Sequence, residues 1–157
     1  MDGLWLIVME KAYAVARAGT KTPDIDKEIG QGGLLSTGMN PFTAAGTDND
    51  ILSLTAKSTT IGKLDAAFGR SDSKAKKRMV TATIQSENDY ELPKSHAYSV
   101  IGWDGTSLTI RNPWGFLEKK GKKEVTGPSG QDAYATGVFV LTLDEFDRVF
   151  FDICYEE

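Results

Sequence analysis

Residues 92–115 read LPKSHAYSVIGWDGTSLTIRNPWG, and this stretch decides how the chain folds. Two runs in it are rich in β-formers, Ala97-Tyr98-Ser99-Val100-Ile101 and Ser107-Leu108-Thr109-Ile110. Asp104-Gly105 lies between them, and Asp-Gly between two such runs is a hairpin signal. Asn112-Pro113-Trp114-Gly115 ends the second arm, because proline has no N–H with which to continue a ladder. A hairpin returns the chain beside itself. His96, the only histidine, starts one arm, and Asn112, 16 positions on, ends the other. The two are expected to lie side by side.

An imidazole paired with an amide has a definite chemistry. A histidine acting as general base must hold one tautomer and one ring angle. The asparagine oxygen can accept the N–H of one ring nitrogen. The other nitrogen then faces a nucleophile, which in a Cys-His-Asn arrangement is a thiol held as thiolate. Trp114, two residues after the asparagine, is placed to roof the pair and keep water off it.

Ser95-His96-Ala97-Tyr98-Ser99-Val100 and Arg111-Asn112-Pro113-Trp114-Gly115 resemble the histidine and asparagine motifs of the calpain family of papain-like cysteine proteases. That family usually has glycine where this chain has Ser95. Leu4-Trp5 through Glu10-Lys11-Ala12-Tyr13-Ala14 resembles the helix that opens the second half of the calpain protease core. Gly137-Val138-Phe139 through Leu143-Asp144-Glu145-Phe146 resembles the strand and acidic turn that close it. Residues 44–78 match only loosely.

The resemblance implies an α+β fold like the C-terminal half of a papain-type core. A helical part over about residues 1–70 would pack on a twisted, barrel-like antiparallel sheet over about 78–157. It implies His96 as general base and then general acid, Asn112 as its orienter and Trp114 as shield. The substrate would be a protein or peptide. In the family the nucleophilic cysteine lies in the first half of the core, in a glutamine- and glycine-rich segment before a helix. This sequence contains no such segment. The expected partner is therefore an N-terminal Cys-bearing half, which would also bring the oxyanion donors. On its own the chain is expected to be inactive, since a base without a nucleophile gives little acceleration. The alternative is a protease-like binding or regulatory module that keeps the fold and has lost the chemistry. The retained His–Asn–Trp set weighs against it.

Other chemistries are poorly supplied. The chain has 157 residues, 40% hydrophobic and 25% charged, which suits one ordinary globular domain. Its net charge of −4 gives no reason to expect nucleic-acid binding. One histidine and one cysteine do not make an ordinary zinc site. A single cysteine also makes no internal disulfide, which points to a reducing, cytoplasmic setting. The apolar run over 4–8 is too short to span a membrane. Cys154 sits among apolar residues with no basic neighbour, an inert environment for a thiol. Ser95 and Ser99 have no nucleophile-elbow motif around them. Calpains bind calcium in acidic loops of the protease core, and Glu118, Glu124 and Asp132 raise that question here. A hard cation needs several converging oxygens, lysines crowd the first two carboxylates, and no ligands are assigned.

Along the chain, a helix is expected over 4–18, ended by Gly19. It is apolar on more than one face, as plain core or as cover for the missing half. Thr22-Pro23-Asp24 starts a short second helix. Residues 34–42 read as loop, with Gly38 and Asn40-Pro41 as breakers. Asp48 or Asn49 would cap a helix over 50–56, and a further helix is expected over 60–68, stopped by Gly69. The basic run over 71–78 reads as a solvated lead-in rather than an anion site. Residues 79–85 alternate as a half-buried strand. A polar connector over 86–91 delivers the chain to His96 and would flank a substrate cleft. The lysine-rich segment after Gly115 reads as a long, mobile insertion. A strand over 138–141, a capping box at Thr142-Leu143-Asp144-Glu145 and a final strand over 150–155 complete the chain.

Overall fold

The computed structural model describes residues 12–16, 18, 19, 24, 27, 35–40, 43, 46–70, 72, 74, 76–118 and 121–157. Among these, six strands form one antiparallel sheet. They are β1 (Thr47–Ile51), β2 (Val80–Ile84), β3 (His96–Trp103), β4 (Ser107–Arg111), β5 (Val138–Thr142) and β6 (Asp152–Glu156). Their order across the sheet is β1-β6-β2-β3-β4-β5. The helices are α1 (Leu35–Met39), α2 (Lys57–Ala67), α3 (Ala133–Thr136) and α4 (Leu143–Val149). The α+β class follows directly. None of the described helices is long and apolar enough to cross a membrane.

Period-two burial builds the sheet. In β2, Val80, Ala82 and Ile84 are buried while Thr81 and Thr83 are only partly so. One face, the inner one, carries these residues with Tyr98, Val100, Leu108, Ile110, Phe139, Leu141 and Ile153. Leu64 and Ala67 of α2 and Leu143 and Phe146 of α4 complete that core. Thr142 caps α4 reciprocally. Its hydroxyl accepts Glu145 N–H, and the Glu145 carboxylate accepts Thr142 N–H, which satisfies donors that a helix start otherwise leaves open.

Several expectations need correction. The sheet is open and not barrel-like: among the described residues β1 pairs only with β6 and β5 only with β4, apart from one bridge between Val140 and Thr126. Residues 47–51 are strand β1 and 52–54 a 3-10 turn, where a helix over 50–56 was expected. Pairing with β6 along its whole length outweighs the local capping signal at Asp48 and Asn49. A strand thus sits inside the part expected to be helical. Residues 35–39 are helical rather than loop, because Leu35 and Met39, one turn apart, bury themselves on Cys154 at the outer face. The phenylalanines of the final strand, with Ile153 and Cys154, are expected from their apolar run to pack in the sheet core; Phe150, Ile153 and Cys154 are buried, whereas Phe151 is 40% exposed. The helix stopped by Gly69 is present as α2, and residues 12–16 are helical with Gly19 N–H donating to Val15 O at 3.1 Å. Most of the first helix lies outside the described residues. Of the second, Lys27 N–H donates to Asp24 Oδ1 at 3.2 Å, and the rest lies outside them too.

Candidate active site

The hairpin of β3 and β4 forms as expected, with one irregularity that matters. Ser99 faces Arg111 and Val100 faces Ile110, yet Gly102 faces Thr109 and Trp103 faces Leu108. One extra residue, Ile101, is therefore accommodated in β3 as a bulge. Its side chain is exposed. Side chains alternate across a strand, so one inserted residue switches the face of everything beyond it. Extending the Ser99–Arg111 register sets Asn112 opposite Tyr98, on the inner face and diagonal to His96. Extending the Trp103–Leu108 register instead would set His96 on the opposite face from Asn112. The bulge is what brings the two together.

They meet at hydrogen-bond distance. His96 Nε2 lies 2.9 Å from Asn112 Oδ1. Asn112 is 0% exposed. Its amide orientation is fixed by its other partners: Oδ1 accepts Trp114 N–H at 3.1 Å, and Nδ2 donates to Phe116 O at 2.9 Å. A backbone N–H only donates and a backbone carbonyl only accepts. Oδ1 therefore faces His96, and Nε2 must carry the proton. In the neutral ring the lone pair is left on Nδ1, which has no hydrogen-bond partner among the described residues.

Aromatic rings hold the imidazole from two sides. The Trp114 ring lies 4.4 Å from it at 43°, and the Tyr98 ring meets it edge-on at 4.9 Å. Tyr98 O–H donates to Pro93 O at 3.1 Å, tying down the lead-in to His96. Burial pushes the Tyr98 hydroxyl well above its usual range, so it stays a donor. Trp114 is 48% and Phe116 45% exposed, and their rings lie 6.3 Å apart. Trp114 thus covers one side of the imidazole while its own outer face meets solvent. Just before His96, Ser95 has φ +51°. This left-handed conformation suits glycine.

Two loops flank the pair. Asn88 shapes the first: its Oδ1 accepts Tyr90 N–H at 3.2 Å and Leu92 N–H at 3.1 Å, and its Nδ2 donates to Leu92 O at 2.9 Å. Tyr90 O–H donates to Glu145 Oε1 at 2.9 Å, which latches this loop to α4. Burial, then the Glu145 bond, raise the Tyr90 hydroxyl to about 12. The second loop follows Trp114. Its described residues are packed rather than loose: Leu117 and Val125 are buried, and Lys123 N–H donates to Asp89 O at 3.0 Å. Between the loops lies a cleft of about 450 Å³, with Leu92, Pro93 and Trp114 among its walls. Glu87, Asp89, Glu91 and Glu118 line it opposite Lys94 and Lys122, and Lys94 is paired with Glu87.

Other candidates separate from the pair. Cys154 faces Thr81, which faces Ser99, so it shares the outer face with Ser99 while His96 and Tyr98 point to the inner one. The sheet stands between thiol and imidazole, and burial pushes the thiol up. Ser99 points away from His96 for the same reason. Among the described residues no group of three or more His, Cys, Asp or Glu could hold a metal ion. Asp132 already caps α3 by accepting the N–H groups of Tyr134 and Ala135. The supports from Tyr98, Asn88 and the Phe116 carbonyl were not foreseen. Tyr98 had a signal, lying two residues from His96 on one strand face; the others depend on backbone placement. In comparison with known proteins, no family model and no curated sequence matches this chain.

Proposed function

We propose that this chain is the His/Asn-bearing half of a calpain-like, papain-type cysteine endopeptidase core. The observation that carries the reading is the Nε2–H of His96 held on Asn112 Oδ1, with Trp114 over the ring and no partner for Nδ1 among the described residues. The motif residues around both, and the glycine-like backbone of Ser95, support it. A Cys-bearing N-terminal half would bring its thiol to Nδ1.

In this reading His96 Nδ1 takes the thiol proton, giving a thiolate and an imidazolium. The thiolate attacks the peptide carbonyl, and the imidazolium proton passes from Nδ1 to the leaving amine. Water then enters, loses a proton to Nδ1, and hydrolyses the thioester. Asn112 holds the ring angle throughout, which matters because a general base must lie within hydrogen-bond reach of the proton it moves. Trp114 keeps water from the ring face. The flanking cleft would receive part of the peptide. The chain's only cysteine is buried on the outer face, so this half alone supplies no nucleophile.

The test is complementation. This chain is mixed with a Cys-bearing N-terminal half of a calpain-like core, and peptide cleavage is followed. Activity is expected only with both halves, and His96→Ala should lower it by about 10²–10⁴-fold, the usual share of a general base. Cleavage by this chain alone that disappears in His96→Ala would refute the missing-nucleophile reading. A tight, folded pair without cleavage would instead favour a binding or regulatory module.

A further inference from the structure

The Asn112 amide is oriented by backbone groups of the residues just after it, Trp114 N–H and Phe116 C=O. Whatever fixes that backbone fixes the amide and, through it, the proton on His96. β4 stops at Arg111. Beyond it Gly115 N–H donates to Asn112 O and Leu117 N–H to Tyr134 O, each at 3.0 Å, and the turn between them lies against Gly137, which sits between α3 and β5. Gly137 O accepts Asn112 N–H at 2.8 Å. Gly137 itself has φ +66°, and a Cβ placed there would stand 2.7 Å from Phe116 N and 2.8 Å from Gly115 C, inside the distance that real Cβ atoms keep. Backbone lies on backbone at this point. A hydrogen bond and a steric contact from one residue converge on the turn that orients the amide.

We infer that Gly137 is a positioning residue for the His96–Asn112 pair. Its lack of a side chain seats the 114–116 backbone where it can hold the amide. A methyl group at 137 drives the Phe116 end of the turn away, and the Nδ2–H bond to Phe116 O is lost first. Of the two backbone bonds that orient the amide, only Trp114 N–H then keeps Oδ1 toward His96. Once the amide turns over, Nδ2–H faces the ring, Nε2 must accept, and the imidazole proton moves to Nδ1. The catalytic consequence rests on the peptidase reading: Nδ1 would no longer be a base. The change of tautomer does not rest on it.

His96 is the only histidine, so its ring ¹⁵N shifts report the tautomer without an assignment problem. In alkaline buffer, where imidazole is neutral, the wild-type chain is expected to be Nε2–H. Gly137→Ala and Gly137→Asn are expected to lose that preference and populate Nδ1–H. Asparagine tolerates the left-handed backbone, so it separates the Cβ contact from the strain. Gly130→Ala is the control: φ is +79° and an added Cβ meets nothing within 4 Å, so Nε2–H should persist. A folded Gly137 variant with the wild-type tautomer overturns the inference. If neither variant folds, proton exchange in the wild-type chain decides. The His96 Nε2–H and the Asn112 side-chain amide protons should exchange as one unit with Asn112 N–H. Rapid exchange of the ring and amide protons while Asn112 N–H stays protected also overturns it. A shifted tautomer in the variants, together with a complemented wild-type pair that does not cleave, would support the positioning role and reject the peptidase reading.

Discussion

The two ends of the β3–β4 hairpin use similar residues to opposite ends. At the turn, Asp104 Oδ1 accepts Thr106 N–H, Thr106 Oγ1–H and Ser107 N–H, each at 2.8 Å. Beside it Trp103 Nε1–H donates to Asp65 Oδ1 at 2.8 Å, and Arg70 pairs with the same oxygen at 3.1 Å. An acid, a tryptophan and a base meet there, and their polar groups find partners in one another. At the open end a histidine, a tryptophan and an asparagine meet, and Nδ1 of the ring finds no partner among the described residues. The first end is a clasp for α2. The second keeps a lone pair in reserve, and that surplus separates a site from a support.

The largest expected break in this contrast is Asn112→Ala. It removes the acceptor of Nε2–H and strands Trp114 N–H and Phe116 O. If the complemented pair cleaves peptide, as proposed, its activity should fall by about 10²–10⁴-fold. Chemical denaturation of the chain should show a loss of about 1–3 kcal/mol, the cost of unpaired buried polar groups. An unchanged tautomer at His96 would contradict the orienting role.

Asp104→Ala should act at the clasp alone. The bonds from Ser107 and Thr106 hold the Asp104 carboxyl below its usual range. A carboxyl depressed in the folded state stabilises above its unfolded value of about 3.9, and that contribution is lost as pH falls through the lower folded value. The group is exposed, so the loss at neutral pH should be no more than about 1 kcal/mol. The gap between variant and wild type should close below about pH 4, and the His96 ring signals should not move. Movement there would mean that the two ends are coupled.

Ser95→Gly has the smallest expected effect, and it has the opposite sign. The left-handed conformation costs a non-glycine residue about 1–2 kcal/mol. Glycine's greater unfolded-state freedom takes back about 0.5–1 kcal/mol. A thermal unfolding curve should show a net gain of about 0.5–1 kcal/mol, and destabilisation would show that the serine side chain holds the loop.

What could be read in advance follows from the range of each interaction. The hairpin, the meeting of His96 with Asn112, the alternation of β2 and the Thr142 capping box all arise from residues close in sequence or from strict period two. They were legible. β1 was not, because its conformation is set by β6, about a hundred residues away, against a local preference for a helix cap. α1 was hidden for a similar reason: Gly38 and Pro41 look like breakers until Cys154 offers Leu35 and Met39 a surface. At the candidate site, the residue types pointed to the pairing of His96 with Asn112, but the proton's position could not be read from them. It depends on two backbone groups past the end of β4, which have no signature in side-chain pattern.

The bulge at Ile101 adds a rule of parity. A hairpin counts in twos, and histidine and asparagine share a face only if the residues between them sum correctly through both arms and the turn. Here the count is put right by one residue whose own side chain points to solvent. A substitution at 101 leaves that count unchanged, whereas removing the position alters it. Information about the site is therefore stored as a length as well as a set of residue types, and a scan of substitutions would pass over it.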